Sequence, residues 1–287
     1  MTQAVEHANI VKPKMKLRWL RWRLHHLALV YIVITAIGVL AFGWPWPVLV
    51  IPGVLLVWLV ADGMARPGSG LFYPTVTHAA RNTKRVALSF DDGPDPTVTP
   101  QVLDMLAAYG AHATFFIIGK SLAAQPELGQ RMLAEGHVLG NHSWQHSRWQ
   151  NFRWFRWHAR ELQLCGQAIE ALDPGRRPWL YRPPVGLKRP ELARAVWRRG
   201  LTLVAWSLHS HDTRLSDPER IAGRVLKKIR GGDIVLLHDG HDLAGRQRPQ
   251  CAVAVRLILQ GLRVKGMECV TIPELLNLSG GVPRPPG

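Results

Sequence analysis

The feature that most constrains the fold is a regular alternation of apolar runs and helical stretches that begins at Arg85. Seven runs are apolar on both faces, which is typical of parallel strands covered by helices. These strands are predicted at 85–90, 113–118, 137–140, 179–182, 201–206, 233–238 and 268–272. Helices are predicted between them, at 100–109, 125–135, 151–172, 190–199, 218–230 and 250–265. The pattern predicts a closed or nearly closed α/β barrel, a distorted (β/α)7-type barrel, with an open doubly wound sheet as the alternative.

The segment before the barrel predicts a membrane anchor. Residues 12–26 carry six Lys and Arg, and residues 27–61 then contain no Asp, Glu, Lys or Arg. A single helix over these 35 residues would be about 52 Å long, well beyond a hydrocarbon core of about 30 Å. The GWPWP stretch at 43–47 interrupts it. We therefore predict a transmembrane helical hairpin with helices at about 24–44 and 45–61. Because the second half is short, one crossing followed by an interfacial segment is the alternative.

The basic flank predicts the orientation of this anchor. Lys and Arg before the first crossing favour a cytoplasmic N-terminus. Two crossings would return the chain to the cytoplasm, so we expect an inner (plasma) membrane protein with a cytoplasmic folded domain; one crossing would place that domain outside. The predicted organisation is a basic cytoplasmic segment at 1–26, the anchor at 27–61, a linker at 62–84, the barrel domain at 85–278 and a disordered tail at 279–287.

The composition restricts the partners of the chain. A formal net charge of +16 indicates an anionic neighbour, either nucleic acid or the anionic leaflet of a membrane. No recognisable nucleic-acid-binding module accompanies the charge, so we predict the anionic leaflet and no nucleic acid. The three cysteines have no close pairs, which argues against a disulfide framework.

Polar residues follow five of the seven predicted strands, at the point where each strand ends. In an α/β barrel the active site lies at the carboxyl ends of the strands, so these side chains are expected on one rim. They are Asp91 and Asp92, His142 and His146, Arg182, then His209, His211 and Asp212, and finally His238 and Asp239.

Two of these groups predict a metal site. His142 and His146 are separated by three residues, a common spacing for two imidazoles on one ion. A carboxylate from another strand would complete three protein ligands, a set that leaves room for water and substrate, as in catalytic sites. A dication would also relieve the repulsion between Asp91 and Asp92, whose like charges are adjacent.

Five segments, in this order, resemble the motifs of the polysaccharide deacetylases, the NodB-homology or carbohydrate esterase family 4 proteins. They are FDDGP at 90–94, HSWQH at 142–146, RPPVG at 182–186, WSLHSHD at 206–212 and LLHD at 236–239. The resemblance covers about 85–278 and implies a hydrolase that removes an acetyl or other acyl group from an N-acylated amino sugar. The alternatives are an O-deacetylase that acts on esters and a catalytically silent sugar-binding protein.

The resemblance implies a role for each matching residue around the metal. Asp92, His142 and His146 would bind a divalent ion, usually Zn²⁺, with Co²⁺ or another divalent ion as the alternative. Asp91 would be the general base that takes a proton from the attacking water. Arg182 would pair with Asp91 and keep it ionised.

The same resemblance implies the residues that act on the rest of the substrate. His238 would be the general acid that protonates the leaving amine, and Asp212 would hold it in place. The backbone N–H of Val185 would help to hold the oxyanion. Trp206 and Leu236 would line the pocket for the acetyl methyl group.

The chain departs from the family pattern at three positions. Val185 stands where an aromatic residue is frequent, His209 where an Asp is usual, and Thr213 where a Trp is usual. These positions shape the wall that faces the sugar, so the substrate stays open between an N-acetylated sugar polymer and a lipid-linked sugar. We expect a membrane- or envelope-associated glycan or glycolipid because of the predicted anchor.

A second segment indicates contact with a membrane. Residues 148–160 place Trp154 and Trp157 among several arginines, a composition that suits a headgroup interface. Plain packing of this helix against the barrel is the alternative.

Overall fold

The computed structural model describes residues 17–43, 47–147, 149, 153–174, 179–240 and 248–277. The chain divides into two compact units, residues 1–63 and 64–287. The segment at 1–16, the residues at 44–46 and the predicted disordered tail at 279–287 lie outside the described residues.

Two helices occupy the place of the predicted hairpin, α1 (Leu17–Phe42) and α2 (Pro47–Ala65). Both expose apolar side chains, among them Leu40 and Val57. Over the part of the chain that the structure describes, neither of them nor any later helix combines the length and the hydropathy that a membrane crossing requires. The predicted transmembrane hairpin therefore has no support as a membrane span.

The second unit is built on a parallel sheet of nine strands, counted over the described residues. The strands are β1 (Thr75–Val76), β2 (Arg85–Asp91), β3 (Thr114–Ile117), β4 (Val138–Asn141), β5 (Leu180–Tyr181), β6 (Thr202–Val204), β7 (Leu208–His209), β8 (Ile234–His238) and β9 (Glu268–Cys269). Their order is β1-β6-β5-β4-β3-β2-β8-β7, and β9 pairs with β2. All seven predicted strands are present, while β1 and β7 were not predicted.

Helices cover this sheet and connect its strands. They are α3 (Val98–Ala108), α4 (Gly119–Ala124), α5 (Pro126–Ala134), α6 (Phe155–Glu170), α7 (Pro190–Arg198), α8 (Pro218–Lys228), α9 (Gln250–Val264) and α10 (Ile272–Leu275). Except for α4 and α10, each corresponds to a predicted helix, with ends that differ by a few residues. The parallel α/β architecture is confirmed.

The order of the strands requires the sheet to curl. β6 and β7 lie near opposite ends of the order, yet only residues 205–207 separate them. Four residues of extended chain span at most about 14 Å. Ala205 donates its N–H to Val76 on β1 at 2.7 Å, and Ser207 donates its N–H to Ile234 on β8 at 3.1 Å. The short link thus connects the two ends of the curled sheet, and we call this incomplete barrel a half-barrel.

Strand alternation divides the buried residues into two layers. One cluster lies between strands and helices and includes Leu88 and Phe90 of β2. The other fills the interior and contains Ala87, Phe116, Leu180, Val204 and Ile234. Residues 87, 89 and 91 of β2 share the inner face, so Asp91 points into the mouth of the half-barrel.

Residues 64–84, most of the predicted linker at 62–84, belong to the second unit. Phe72 and Tyr73 are buried, and β1 pairs in parallel with β6. The buried ammonium of Lys188 donates to the carbonyls of Arg66, Pro67 and Ser69 at 2.7 to 2.8 Å. The apolar residues at 71–76 explain why this segment is folded rather than a linker, since they give it a surface to bury.

Candidate active site and metal centre

The end of β2 directs two adjacent carboxylates to different partners. Asp91 is buried at the last position of the strand. Asp92 has a φ of 74°, in the left-handed region, so the backbone turns before the helix that follows. Gly93 is required at the next position, because a Cβ there would lie 2.5 Å from the carboxylate oxygens of buried Asp239.

Three side chains from two strand ends converge on one point. Asp92, His142 and His146 each offer one ligand atom, and these atoms lie within 4.8 Å of one another. Oδ1 of Asp92 lies 3.3 Å from Nε2 of His146 and 3.6 Å from Nε2 of His142. Ligands about 2.1 Å from a tetrahedral Zn²⁺ are about 3.4 Å apart. The spacing therefore fits one small dication.

The protonation of the two imidazoles also fits a metal. Nδ1 of His142 lies 2.8 Å from the carbonyl oxygen of Arg182. Because a carbonyl only accepts, Nδ1 carries the proton and Nε2 presents its lone pair. Burial, with a smaller contribution from His142, lowers the pKa of His146 to about 4, so His146 is neutral at pH 7. The site combines one carboxylate with the neutral imidazole of His146 and with His142, whose Nε2 faces Asp92.

Arg248 orients the carboxylate of Asp92. Its Nη1 donates to Oδ2 of Asp92 at 3.1 Å and to the carbonyl of Gly240 at 3.2 Å, which leaves Oδ1 for the histidines. Burial alone would raise the pKa of Asp92, but the hydrogen bond with His142 and the positive charge of His238 hold it below its usual range. Arg248 was not predicted, since it lies in an arginine-rich stretch far along the chain.

The loop between the two histidines is held from α6. Oε2 of Glu161 accepts the N–H groups of Trp144 at 3.2 Å and Gln145 at 3.0 Å. Within the loop, the hydroxyl of Ser143 accepts the N–H of His146 at 3.2 Å. Glu161 is buried, and burial raises its pKa. Sequence reasoning missed this residue, although an acidic side chain on the apolar face of a helix is a usable signal.

The predicted pair of Asp91 and Arg182 is formed in the structure. Nη1 of Arg182 donates to Oδ1 of Asp91 at 2.7 Å. Arg182 is fully buried, donates from Nη2 to the carbonyl of Ala205 at 2.9 Å, and stacks 4.0 Å from the ring centre of Phe116. The guanidinium therefore holds the carboxylate in one orientation.

The predicted pair of His238 and Asp212 is also formed. Nδ1 of His238 lies 2.9 Å from Oδ1 of Asp212, whose Oδ2 accepts the N–H of His238 at 2.7 Å. Burial alone would lower the pKa of His238, but the carboxylates, Asp212 foremost, raise it to about 9. His238 is the register partner of Asp91 on the neighbouring strand. An imidazole with a raised pKa and a carboxylate therefore stand side by side on the rim.

The three predicted substrate-binding residues lie around this rim. Val185 is 60% exposed and has a φ of 60°. Gly186, with a φ of 70°, lies against Trp206, since a Cβ on it would meet the indole at 2.8 Å. Leu236 is buried on β8. Their roles toward an acyl group and an oxyanion stay predictions.

Asp239 forms a further buried group beneath the site. Its Oδ2 accepts the hydroxyl of Thr99 at 2.6 Å, and burial raises its pKa to about 7. It supports the turn that carries Asp92, and the sequence marked its position without indicating this role.

Comparison with known proteins finds one family. The polysaccharide deacetylase family matches residues 78–204. A peptidoglycan-N-acetylglucosamine deacetylase of Bacillus cereus is 38% identical over 202 residues, 68% of this chain and 90% of that protein. A chitooligosaccharide deacetylase of Bradyrhizobium sp. is 36% identical over 200 residues, 67% of this chain and 91% of that protein. The solved structure of the peptidoglycan deacetylase PdaC from Bacillus subtilis matches with a TM-score of 0.61 and 32% identity, over 70% of this chain and 93% of that one.

Proposed function

Because this chain belongs to the polysaccharide deacetylase family of carbohydrate N-deacetylases, we propose that it is a metal-dependent hydrolase. It removes an acetyl or other acyl group from an N-acylated amino sugar. This sugar belongs to a membrane- or envelope-associated glycan or glycolipid. One observation carries the proposal. The cluster of Asp92, His142 and His146 lies beside both a base paired with Arg182 and an acid paired with Asp212. The relatives, named for peptidoglycan and chitooligosaccharides, support an amide of an amino sugar as the substrate.

The first half of the reaction uses the metal ligands and the base. Asp92, His142 and His146 would hold the divalent ion, which when bound polarises the acyl carbonyl and lowers the pKa of water. Asp91 accepts the proton of the attacking water at its free carboxylate oxygen. Arg182 donates to the other oxygen and so keeps the carboxylate oriented toward the attacking water.

The second half of the reaction breaks the C–N bond. His238 donates the proton at Nε2 to the leaving nitrogen, because Asp212 holds the Nδ1 side of the ring. The backbone N–H of Val185 binds the oxygen that becomes negative. The products are a carboxylic acid, usually acetic acid, and the free amine of the sugar.

The experiment is acetate release from an N-acetylglucosamine oligomer by the full chain loaded with Zn²⁺. We expect the parent protein to release acetate and Asp91→Asn and His238→Gln to lose at least about a hundredfold in kcat, the usual contribution of an acid or base. A protein that binds metal but releases no acetate from any acetylated sugar would instead be a silent sugar-binding protein. A matched O-acetylated oligomer tests the ester alternative. That alternative requires acetate to be released faster from the ester than from the amide.

We also propose that the protein is attached to the inner membrane with its second unit on the cytoplasmic side. The apolar side chains that α1 and α2 expose support attachment. Trp154 is 82% exposed next to exposed Arg153 and Arg156, which suits an anionic headgroup surface. Trp157 is partly buried, and its ring lies edge-on to that of the adjacent His158 at 5.3 Å, so the support from this helix rests on Trp154. Fractionation of the full chain with a C-terminal topology reporter tests this; recovery in the soluble fraction would contradict it.

A further inference from the structure

His209 faces the mouth of the half-barrel although neither acid–base pair contains it. It is the second residue of β7, and the first, Leu208, packs in the cluster between strands and helices. Because side chains alternate along a strand, His209 points to the opposite, inner side. Its register partner on β8 is Leu236, one of the residues predicted to line the acyl pocket.

The ring of His209 lies between Trp206, which is predicted to line the acyl pocket, and His238, the proposed general acid. Its centre is 5.7 Å from the ring of Trp206, in an edge-on contact, and 6.3 Å from the ring of His238. A polar atom on His209 is therefore placed near the amide that the site would cleave.

The hydrogen bonds of His209 fix its tautomer. Its Nδ1 lies 2.9 Å from the main-chain N–H of His211, so Nδ1 accepts and has no proton. Burial, together with the charge of nearby His238, lowers the pKa of His209 to about 4, so the ring is neutral at pH 7. The proton of a neutral ring is then on Nε2.

The Nε2–H donor is open. Among the residues that the structure describes, none accepts from it, and His209 is only half buried. His211 differs, since its Nε2 is paired with Nη2 of Arg224 at 2.8 Å. An open donor on the inner face requires an acceptor supplied from solution.

We propose that His209 is a hydrogen-bond-donating subsite that binds an oxygen of the substrate beside the scissile amide. This rests on the proposed deacetylation. In the motif that the chain resembles an Asp is usual here, and a carboxylate would accept from a substrate hydroxyl and repel an anion. A neutral N–H instead admits a hydroxyl, carboxylate or phosphate oxygen. The oxygen comes either from the acyl group or from the sugar carbons next to the amide.

The test combines changes in the enzyme with changes in the substrate. The probes are N-acetylglucosamine, its 3-deoxy analogue, its 1-phosphate and its N-glycolyl analogue, and kcat/KM is measured for each with the full chain. For at least one modified probe the parent protein should differ from N-acetylglucosamine by about tenfold, as for one hydrogen bond. His209→Leu should reduce that difference to within about twofold, and the probe affected identifies the source of the oxygen.

Two controls separate this role from a structural one. His209→Gln, which keeps a donor near Nε2, should retain the preference, and His211→Asn, whose parent ring is already paired, should leave it unchanged. Equal probe ratios in the parent protein and in both His209 variants would overturn the subsite while leaving the deacetylase intact. No release from any probe by the parent protein would instead contradict the proposed function itself.

Discussion

At the scale of single residues, the rim of the half-barrel holds backbone conformations that L residues rarely adopt. Asp92, His146, Val185 and His211 all have positive φ, between 49° and 74°. Each such residue costs on the order of 1–3 kcal/mol and persists only where the surroundings hold it. Their concentration at the ends of β2, β4, β5 and β7 shows that the fold maintains strain where it positions the site.

Val185 allows this strain to be measured, because it is β-branched and its side chain is exposed. Val185→Asn should raise the free energy of unfolding by about 0.5–1 kcal/mol, since Asn tolerates the left-handed region. Urea denaturation measures the change. Val264→Asn, on an 84% exposed valine at the end of α9, is the matched control and should change it little. An equal effect at both positions would show that polarity rather than strain is the cause.

Asp212 should set the alkaline limit of activity. The protonated form of His238 is needed, and Asp212 is the foremost carboxylate that raises the pKa of His238 to about 9. Asp212→Asn removes that charge, so the pKa of His238 falls and the alkaline limb of the kcat/KM profile moves to lower pH. Asp217→Asn, at the N-cap of α8, should leave the profile in place. An unchanged limb in Asp212→Asn would exclude His238 as the acid.

Residues with chemistry tied to a motif could be predicted from the sequence, and residues with purely tertiary roles could not. His142 and His146 were predicted because their spacing is a local pattern, and the resemblance to the family motifs implied Asp92 as the third ligand. Arg248 and Glu161 reach the site from elements distant along the chain, and their pairing depends on the packing of those elements. No local pattern reports that packing.

At the scale of elements, the strands that lie in a recognisable apolar run were predictable, including the two-residue β5 and β9, whereas β1 and β7 were not. β2 and β8 are five residues or longer and buried along nearly their whole length, so apolar runs mark them. β1 and β7 have two residues each and are strands only because β6 and β8 pair with them. The alternation that turns His209 inward thus depends on tertiary pairing.

Helix α6 should control metal affinity through Glu161. Glu161→Ala leaves the N–H groups of Trp144 and Gln145 without their acceptor, so the loop between the histidines loosens. Zn²⁺ affinity should fall by about 10- to 100-fold, as for other outer partners of metal ligands. Competition with a chromophoric chelator measures it. Gln167→Ala, on the exposed face of the same helix, should bind Zn²⁺ like the parent protein.

At the scale of the whole molecule, the site should couple metal binding to global stability. Its ligands come from the turn after β2 and from the loop after β4, so an ion bound there stabilises the native state over the unfolded chain. Zn²⁺ at a hundred times its Kd should add about 2.7 kcal/mol. Calorimetry should show a higher Tm with Zn²⁺ and a lower one with chelator. His146→Ala should abolish most of this difference; if it does not, the ion binds elsewhere.

Lys188 should fix residues 66–69, which follow the boundary between the two units, to the rest of the second unit. Its buried ammonium donates to three carbonyls of residues 66–69. Lys188 itself belongs to the stretch of chain that contains Val185 at the rim. In Lys188→Met these carbonyls lose a charged donor, each such bond being worth about 1.5–3 kcal/mol before desolvation of the ammonium is counted. Limited proteolysis should then cut within residues 66–70, where the parent protein resists.

The matched control for this variant is Lys120→Met, whose parent side chain is exposed on α4. It should leave the cleavage pattern of the parent protein unchanged. Cleavage of Lys188→Met elsewhere, or none at all, would show that β1 and the buried Phe72 and Tyr73 hold the segment without the lysine. Cleavage at 66–70 with kcat reduced would show more: that the chain entering the second unit also positions the loop of Val185, since Lys188 lies only three residues beyond it.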